Sequence, residues 1–185
     1  DVVTLVNWVL FGVDESCIDY DGNVYETVQI GDQLWMAENL KVTHYNNGDE
    51  IPTGYSDDDW LNLSSGAYAV YDDDPSNAEV YGNLYNWYAV DDDRGICPNS
   101  WHIPSDEEYS QLSDFLGGYS VAGGKMKSTG TIEGGDGLWV APNEGATNES
   151  GFTAFPSGYR SGSGGFYFYK GEVSYLWTST QYDNN

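Results

Sequence analysis

The sequence predicts an α+β domain. Short alternating apolar runs bounded by Gly and Asp turns mark strands, and one strongly capped amphipathic stretch marks a helix. The order of segments is strands, then helices, then loops and strands, with no repeat of fixed period. Regular alternation of strand and helix, the mark of a parallel sheet, is missing. At 185 residues the chain is long enough for one domain with a buried core.

The opening "DVVTLVNWVLFGVDESC" is apolar at nine of the twelve positions from Val2 to Val13. Its β-branched content favours a strand over a helix. Val2, Val6, Trp8 and Leu10 fall on one face, and Val3, Leu5, Val9 and Phe11 on the other. A strand apolar on both faces is buried on both sides. The run is too short for a membrane helix, which needs about 20 apolar residues. It also has neither the methionine nor the basic region of a signal peptide, so the chain reads as a mature product after export. Residues 1–16 are therefore expected to form a strand segment apart from a body over 17–185.

In "DYDGNVYETVQIGDQLWMAENLKV", Val24, Thr27, Val28 and Ile30 read as a strand, Gly31-Asp32 as a tight turn, and Leu34 to Met36 as its partner. From His44 to Ser65 the polar, Gly/Asp-rich chain reads as a long surface loop. Leu84, Trp87 and Tyr88 have the spacing of a short amphipathic helix. "PSDEEYSQLSDFLGG" is the clearest local signal. Ser105 is the N-cap and Glu108, three residues on, completes a capping box. Asp106 and Glu107 occupy the first turn, where the helix dipole favours them. Tyr109, Leu112 and Leu116 form the inward stripe, and Gly117-Gly118 ends the helix. Gly-rich sequence follows around Trp139-Val140. "GFTAFPSGYRSGSGGFYFYKGEVSYLWTSTQ" reads as a hairpin turning at Gly162–Gly165 and again near Gly171.

Composition narrows the partners. Thirty acidic residues against six basic ones leave a net charge of −24, which repels nucleic acid and anionic membrane. Seven Trp, sixteen Tyr and six Phe are too many aromatics for a disordered acidic chain. Few Lys, with much Tyr and Gly, lean toward an extracellular protein. Cys17 and Cys97 lie eighty residues apart in turn-like sequence, without zinc-ligand spacing. In an oxidising compartment they are a candidate disulfide, though spacing does not reveal pairing.

The Asp runs are candidate oxygen sites for calcium: Asp72, Asp73 and Asp74 in one loop, and Asp91, Asp92 and Asp93 in another. "DYDGN" offers Asp19, Asp21 and Asn23 at alternate positions, but Val24 and Ile30 stand where an EF-hand needs Gly and Glu. No motif requires a cofactor. No HExxH, GxSxG or Walker pattern occurs, and His44 and His102 stand alone, so no nucleophile, base and orienter can be assembled. The expectation is a non-enzyme.

The stretches "DGNVYETVQIGDQLWMAENLKVTHYNNGDEI", "YGNLYNWYAV", "GICPNSWHIPSDEEYSQL", "AGGKMKSTG" and "GFTAFPSGYR…LWTST", collinear from about residue 19 to 182, resemble the Fibrobacter succinogenes major paralogous domain. This is a set of exported and surface proteins of Bacteroidetes and Fibrobacteres. The family looks like a branch of the C-type lectin-like fold, distantly related to formylglycine-generating enzymes, whose "LPTEAEWE" helix start is similar to "IPSDEEYS" here. The resemblance implies two short helices packed on a twisted antiparallel sheet with long Gly/Asp-rich loops. It carries no activity with it. The cysteine pair near the C-terminal end that formylglycine-generating chemistry requires has no counterpart here. Members usually continue past "WTST" through further strands to a closing Arg-Cys motif, so the body reads as truncated at its C-terminus. The apolar leader lies outside the family pattern.

Two functions follow as expectations, both for a protein secreted to, or held at, the surface of a bacterium. The first is a structural, adhesive protein that assembles with itself into a filament. Val2, Val3, Leu5, Val6, Trp8, Val9, Leu10 and Phe11 of one copy would complete the sheet of the next. The second is a lectin-like module that binds surface glycans or a protein. There Trp60, Trp139, Tyr159, Tyr167 and Tyr169 would stack on sugars, while Asn143, Asn148 and Arg160 bond hydroxyls.

Overall fold

The computed structural model describes residues 17–181. The leader Val2–Val13, expected to be a strand, lies outside the described residues. The described chain mixes helix and strand. Its strands pair as four separate antiparallel ladders of two strands each rather than the one twisted sheet expected. β1 (Cys17–Ile18) pairs with β2 (Val24–Tyr25), β3 (Thr27–Ile30) with β4 (Gln33–Met36), β5 (Tyr68–Ala69) with β6 (Leu84–Tyr85), and β7 (Tyr159–Arg160) with β8 (Tyr167–Phe168). Five α-helices stand among the described residues where two were expected: α1 (Asp57–Leu61), α2 (Pro75–Tyr81), α3 (Trp87–Val90), α4 (Asp106–Phe115) and α5 (Tyr119–Met126).

The β3–β4 hairpin forms where alternation placed it, in register from Thr27↔Met36 to Ile30↔Gln33. Gly31 turns it with φ +60°, and the Phe115 ring of α4 covers that glycine so closely that a Cβ would lie 2.9 Å from it. The capping box is complete. The Glu108 N–H donates to the Ser105 hydroxyl at 3.3 Å, and the Ser105 N–H donates to the Glu108 carboxylate at 2.7 Å. Leu112 and Leu116 are buried with Ile30, Trp35, Ala122, Phe152 and Ala154, and Tyr109 packs against this first cluster.

A second cluster gathers Val42, Tyr45, Ile51, Ala89 and Ile96, and a third gathers Trp60, Ala67 and Ala69. Tyr45, Ile51 and Trp60 fall inside the stretch expected to be a polar surface loop. Each is an isolated apolar residue, so periodicity missed it, but each drops into a core built by distant elements. The segment expected as one helix is divided. Leu84 pairs with Ala69 in β6, and Asn86 then caps α3 by accepting the Ala89 N–H.

Truncating Leu112, 1% exposed in the first cluster, to Ala is expected to lower unfolding free energy by about 2–5 kcal/mol in urea denaturation. Ser105→Ala, which removes only a cap, is expected to cost about 1 kcal/mol.

Candidate functional site

Between the clusters runs a groove of about 1600 Å³. One wall is the β3–β4 hairpin with residues 38–40, and a second is β6 with Ile96 and Cys97. Residues 100–105 and the first turns of α4 form a third, and residues 152–154, 157–160 and 175–177 the fourth. Its lining is mainly apolar and aromatic, with Trp35, Met36, Leu84, Tyr85, Tyr109, Leu176 and Trp177 among the contributors. Trp35 stands between Tyr109 and Phe152, at ring separations of 5.3 and 5.7 Å. Trp177 leans on Trp87 at 5.7 Å and donates its indole N–H to the Tyr85 carbonyl at 2.8 Å.

Polar groups in the walls are left open. The N–H groups of His102, Ile103, Leu176 and Trp177 donate to no backbone carbonyl among the described residues. The two segments that carry them are tied by one bond, from Ser179 N–H to Pro104 C=O at 2.9 Å. Among the described residues β4 pairs only with β3. The indole N–H of Trp35 and the carbonyl oxygen of the Asn83 side chain are buried in the lining without a partner among the described residues. His102, Leu176 and Trp177 are exposed and Ile103 is half-buried, so solvent can satisfy these N–H groups, whereas the Trp35 and Asn83 atoms are buried away from it. Burial also holds the Tyr109 and Tyr85 phenols well above their ordinary range, which keeps both neutral at physiological pH.

The residues singled out for sugar binding are distributed otherwise. Trp60 and Trp139 are each 6% exposed and serve packing. The Arg160 side chain is buried, donates to the carbonyls of Gly165 and Tyr55 at 2.7 and 2.8 Å, and is flanked by Trp60 and Tyr167. Asn143 donates to the carbonyls of Ser128 and Gly130, and Asn148 to the Thr153 hydroxyl. Arg160, Asn143 and Asn148 thus bond the protein's own loops, while Trp60, Tyr159 and Arg160 also line the groove. The Tyr167 hydroxyl donates to Asp73 at 2.6 Å. Tyr159 does reach an exposed aromatic group. Phe168, Tyr169 and Tyr175 stand within 5.2–6.0 Å of its ring centroid.

The acidic loops are likewise engaged internally. Asp74 caps α2, Asp92 holds Arg94 in a bridge of 2.8 Å, and the Asp91 N–H closes α3. Asp72 and Asp73 take left-handed backbone conformations in a tight loop. Among the described residues no three His, Cys, Asp or Glu side chains converge as a metal site. Cys17 and Cys97 are free thiols. The sequence reading expects an apolar groove where the sheet is incomplete, but it does not identify "SWHIPS" and "LWTST" as walls of one. Neither alternates cleanly, and only the fold brings them together.

Burial raises the pKa of Asp21, but bonds from the Thr43 N–H and hydroxyl and from His44 outweigh it and leave the carboxyl below its ordinary 3.8. Burial of Glu108 is likewise outweighed by the Ser105 N–H and His102, leaving it below 4.5. Depressed carboxyl pKa values contribute stability that is present above the ordinary values and is lost as pH falls through the folded-state ones. An Asp21→Asn, Glu108→Gln double variant is therefore expected to lose less stability than wild type below about pH 4.5, measured as melting temperature against pH.

No described helix is long and apolar enough to cross a membrane. No curated protein matches the chain, and no solved structure does. The sequence profile of the Fibrobacter succinogenes major domain matches residues 28–185, most of the chain and every wall of the groove except Thr27. The chain belongs to the Fibrobacter succinogenes major domain family.

Proposed function

We propose that this protein is a non-catalytic structural unit of a bacterial cell surface that assembles with copies of itself. The leader Val2–Val13 of one copy lies in the groove of the next as an added strand. The observation that carries this reading is a groove lined mainly by apolar and aromatic side chains, whose lining includes β4, a strand with no second partner among the described residues, and the unpartnered Trp35 indole N–H and Asn83 side-chain oxygen. Size supports it, because a groove of 1600 Å³ exceeds the roughly 300–1,000 Å³ of small-molecule pockets. Chemistry supports it too. A strand apolar on both faces meets apolar walls, while its backbone meets unpaired N–H groups.

Nine buried apolar side chains at about 1.5–3 kcal/mol each give a gross gain of roughly 13–27 kcal/mol. That stands against about 4–15 kcal/mol for lost freedom on association. The contact is head-to-tail, so it propagates as a filament unless the rotation between copies closes a ring.

A second reading is favoured by the exposed group of Tyr159, Phe168, Tyr169 and Tyr175, which is suited to stacking on sugar faces. Tyr169→Ala with Phe168→Ala, both outside the groove lining, is expected to weaken retention on surface polysaccharide at least tenfold with assembly unchanged. Unchanged retention removes that reading.

Negative-stain microscopy and size-exclusion chromatography test assembly directly. Wild type is expected to form filaments, and Val6→Asp with Leu10→Asp to remain monomeric with the circular dichroism of the body intact. Filaments from the double variant, or a wild-type monomer peak at every concentration, overturn the proposal. Because each copy carries a charge of −24, raising salt from 10 to 300 mM (Debye length about 30 Å falling to under 8 Å) is expected to promote assembly.

A further inference from the structure

We propose that Cys17 and Cys97 form a disulfide when this protein folds in an oxidising compartment, and that the bond ties the root of the leader to the groove. The two thiols come from opposite halves of the described fold to one short segment. Cys17 opens β1, is 1% exposed and lies opposite Tyr25 in the ladder. The Tyr25 hydroxyl accepts the Lys41 N–H at 3.0 Å. On either side of Lys41, Leu40 and Val42 belong to the cluster against which Cys97 packs. A bond of 2.9 Å from the Asn46 side chain to the Cys97 carbonyl fixes the second cysteine to the same stretch of chain.

The electrostatics agree with this convergence. Burial, then the neighbouring Cys97, then Asp19 and Glu38, push the Cys17 thiol up to about 12, and burial alone does the same for Cys97. Neither thiol has a cation among these influences to activate it as a nucleophile or metal ligand. The neighbour that Cys17 does have is Cys97.

The step balances as an exchange. Two thiols give up two protons and two electrons to an external disulfide, from a thiol–disulfide oxidoreductase or oxidised glutathione. One S–S bond forms here, and the oxidant leaves as two thiols. Burial disfavours both thiolates, the reactive form, so closure belongs to folding, before burial shields the pair. Once closed, the bond is shielded in turn.

Cys97 lines the groove, and only Asp14, Glu15 and Ser16 separate Cys17 from the leader, a span of about 10 Å. The cross-link thus anchors the leader at its base. That consequence rests on the assembly reading, but the disulfide does not.

The test uses the full-length protein folded with a glutathione redox pair. Intact mass is expected to be about 2 Da lighter than the dithiol, with no iodoacetamide label after denaturation and two labels after reduction. Cys17→Ala and Cys97→Ala are each expected to lower the melting temperature by about 10 °C, and the double variant by no more than either alone. Two labels without reduction, or losses that add, overturn the pairing. A disulfide found in a protein that never assembles upholds the pairing and removes the filament reading alone.

Discussion

A fold built mostly of loops must find hydrogen-bond partners for backbone groups that ladders and helices would otherwise satisfy. Here polar side chains supply them. Asn39 donates to the Tyr81 carbonyl, Asn77 to Tyr71, Asn83 to Lys41, and Asn86 to Ser65 while accepting the Ala67 N–H. Arg160 does the same from inside the protein, reaching the carbonyls of Tyr55 and Gly165 between two aromatic rings. A guanidinium buried this way is tolerated because carbonyl oxygens and the Asp57 carboxylate accept its N–H hydrogen bonds. The many Asn, Asp and Gly of the sequence are thus structural members, and each loop is held as firmly as its one or two cross-chain bonds.

The same accounting locates the groove. Where side chains close the balance, loops pack against one another. At 102–103 and 176–177 the backbone N–H groups have no protein partner among the described residues, and the groove they border is lined mainly by apolar and aromatic side chains. Unpaired amides beside apolar side chains suit a β-strand better than a small polar ligand, because a strand offers both a carbonyl row and alternating side chains. The high negative charge works against contact between copies and makes such a contact depend on burial rather than on ion pairs.

Much of this was legible locally. The capping box at Ser105 and Glu108, the Gly31 turn and the hairpin around it are interactions within a few residues, and the spacing of residue types was enough to read them. Tyr45, Trp60 and Arg160 were misread because nothing beside them in the chain reveals that they are covered. Tyr45 is covered by Ala89 and Ile96, and Arg160 by a segment more than a hundred residues away. The helix expected over Leu84–Tyr88 begins only at Trp87 for a related reason. Ala69 offers Leu84 a ladder, and a helix cannot use a ladder.

From sequence alone came the mixed α+β class, the family resemblance, the acidic surface and the two-faced apolar character of the first thirteen residues, because composition and short-range periodicity carry them. Only the tertiary structure decided which aromatics are internal, that Asp74 caps a helix while Asp73 and Asp92 accept hydrogen bonds, and that an apolar groove runs between the clusters. Each of these depends on which distant residue arrives to cover or bond a side chain, and burial is a property of that arrival, not of the local pattern.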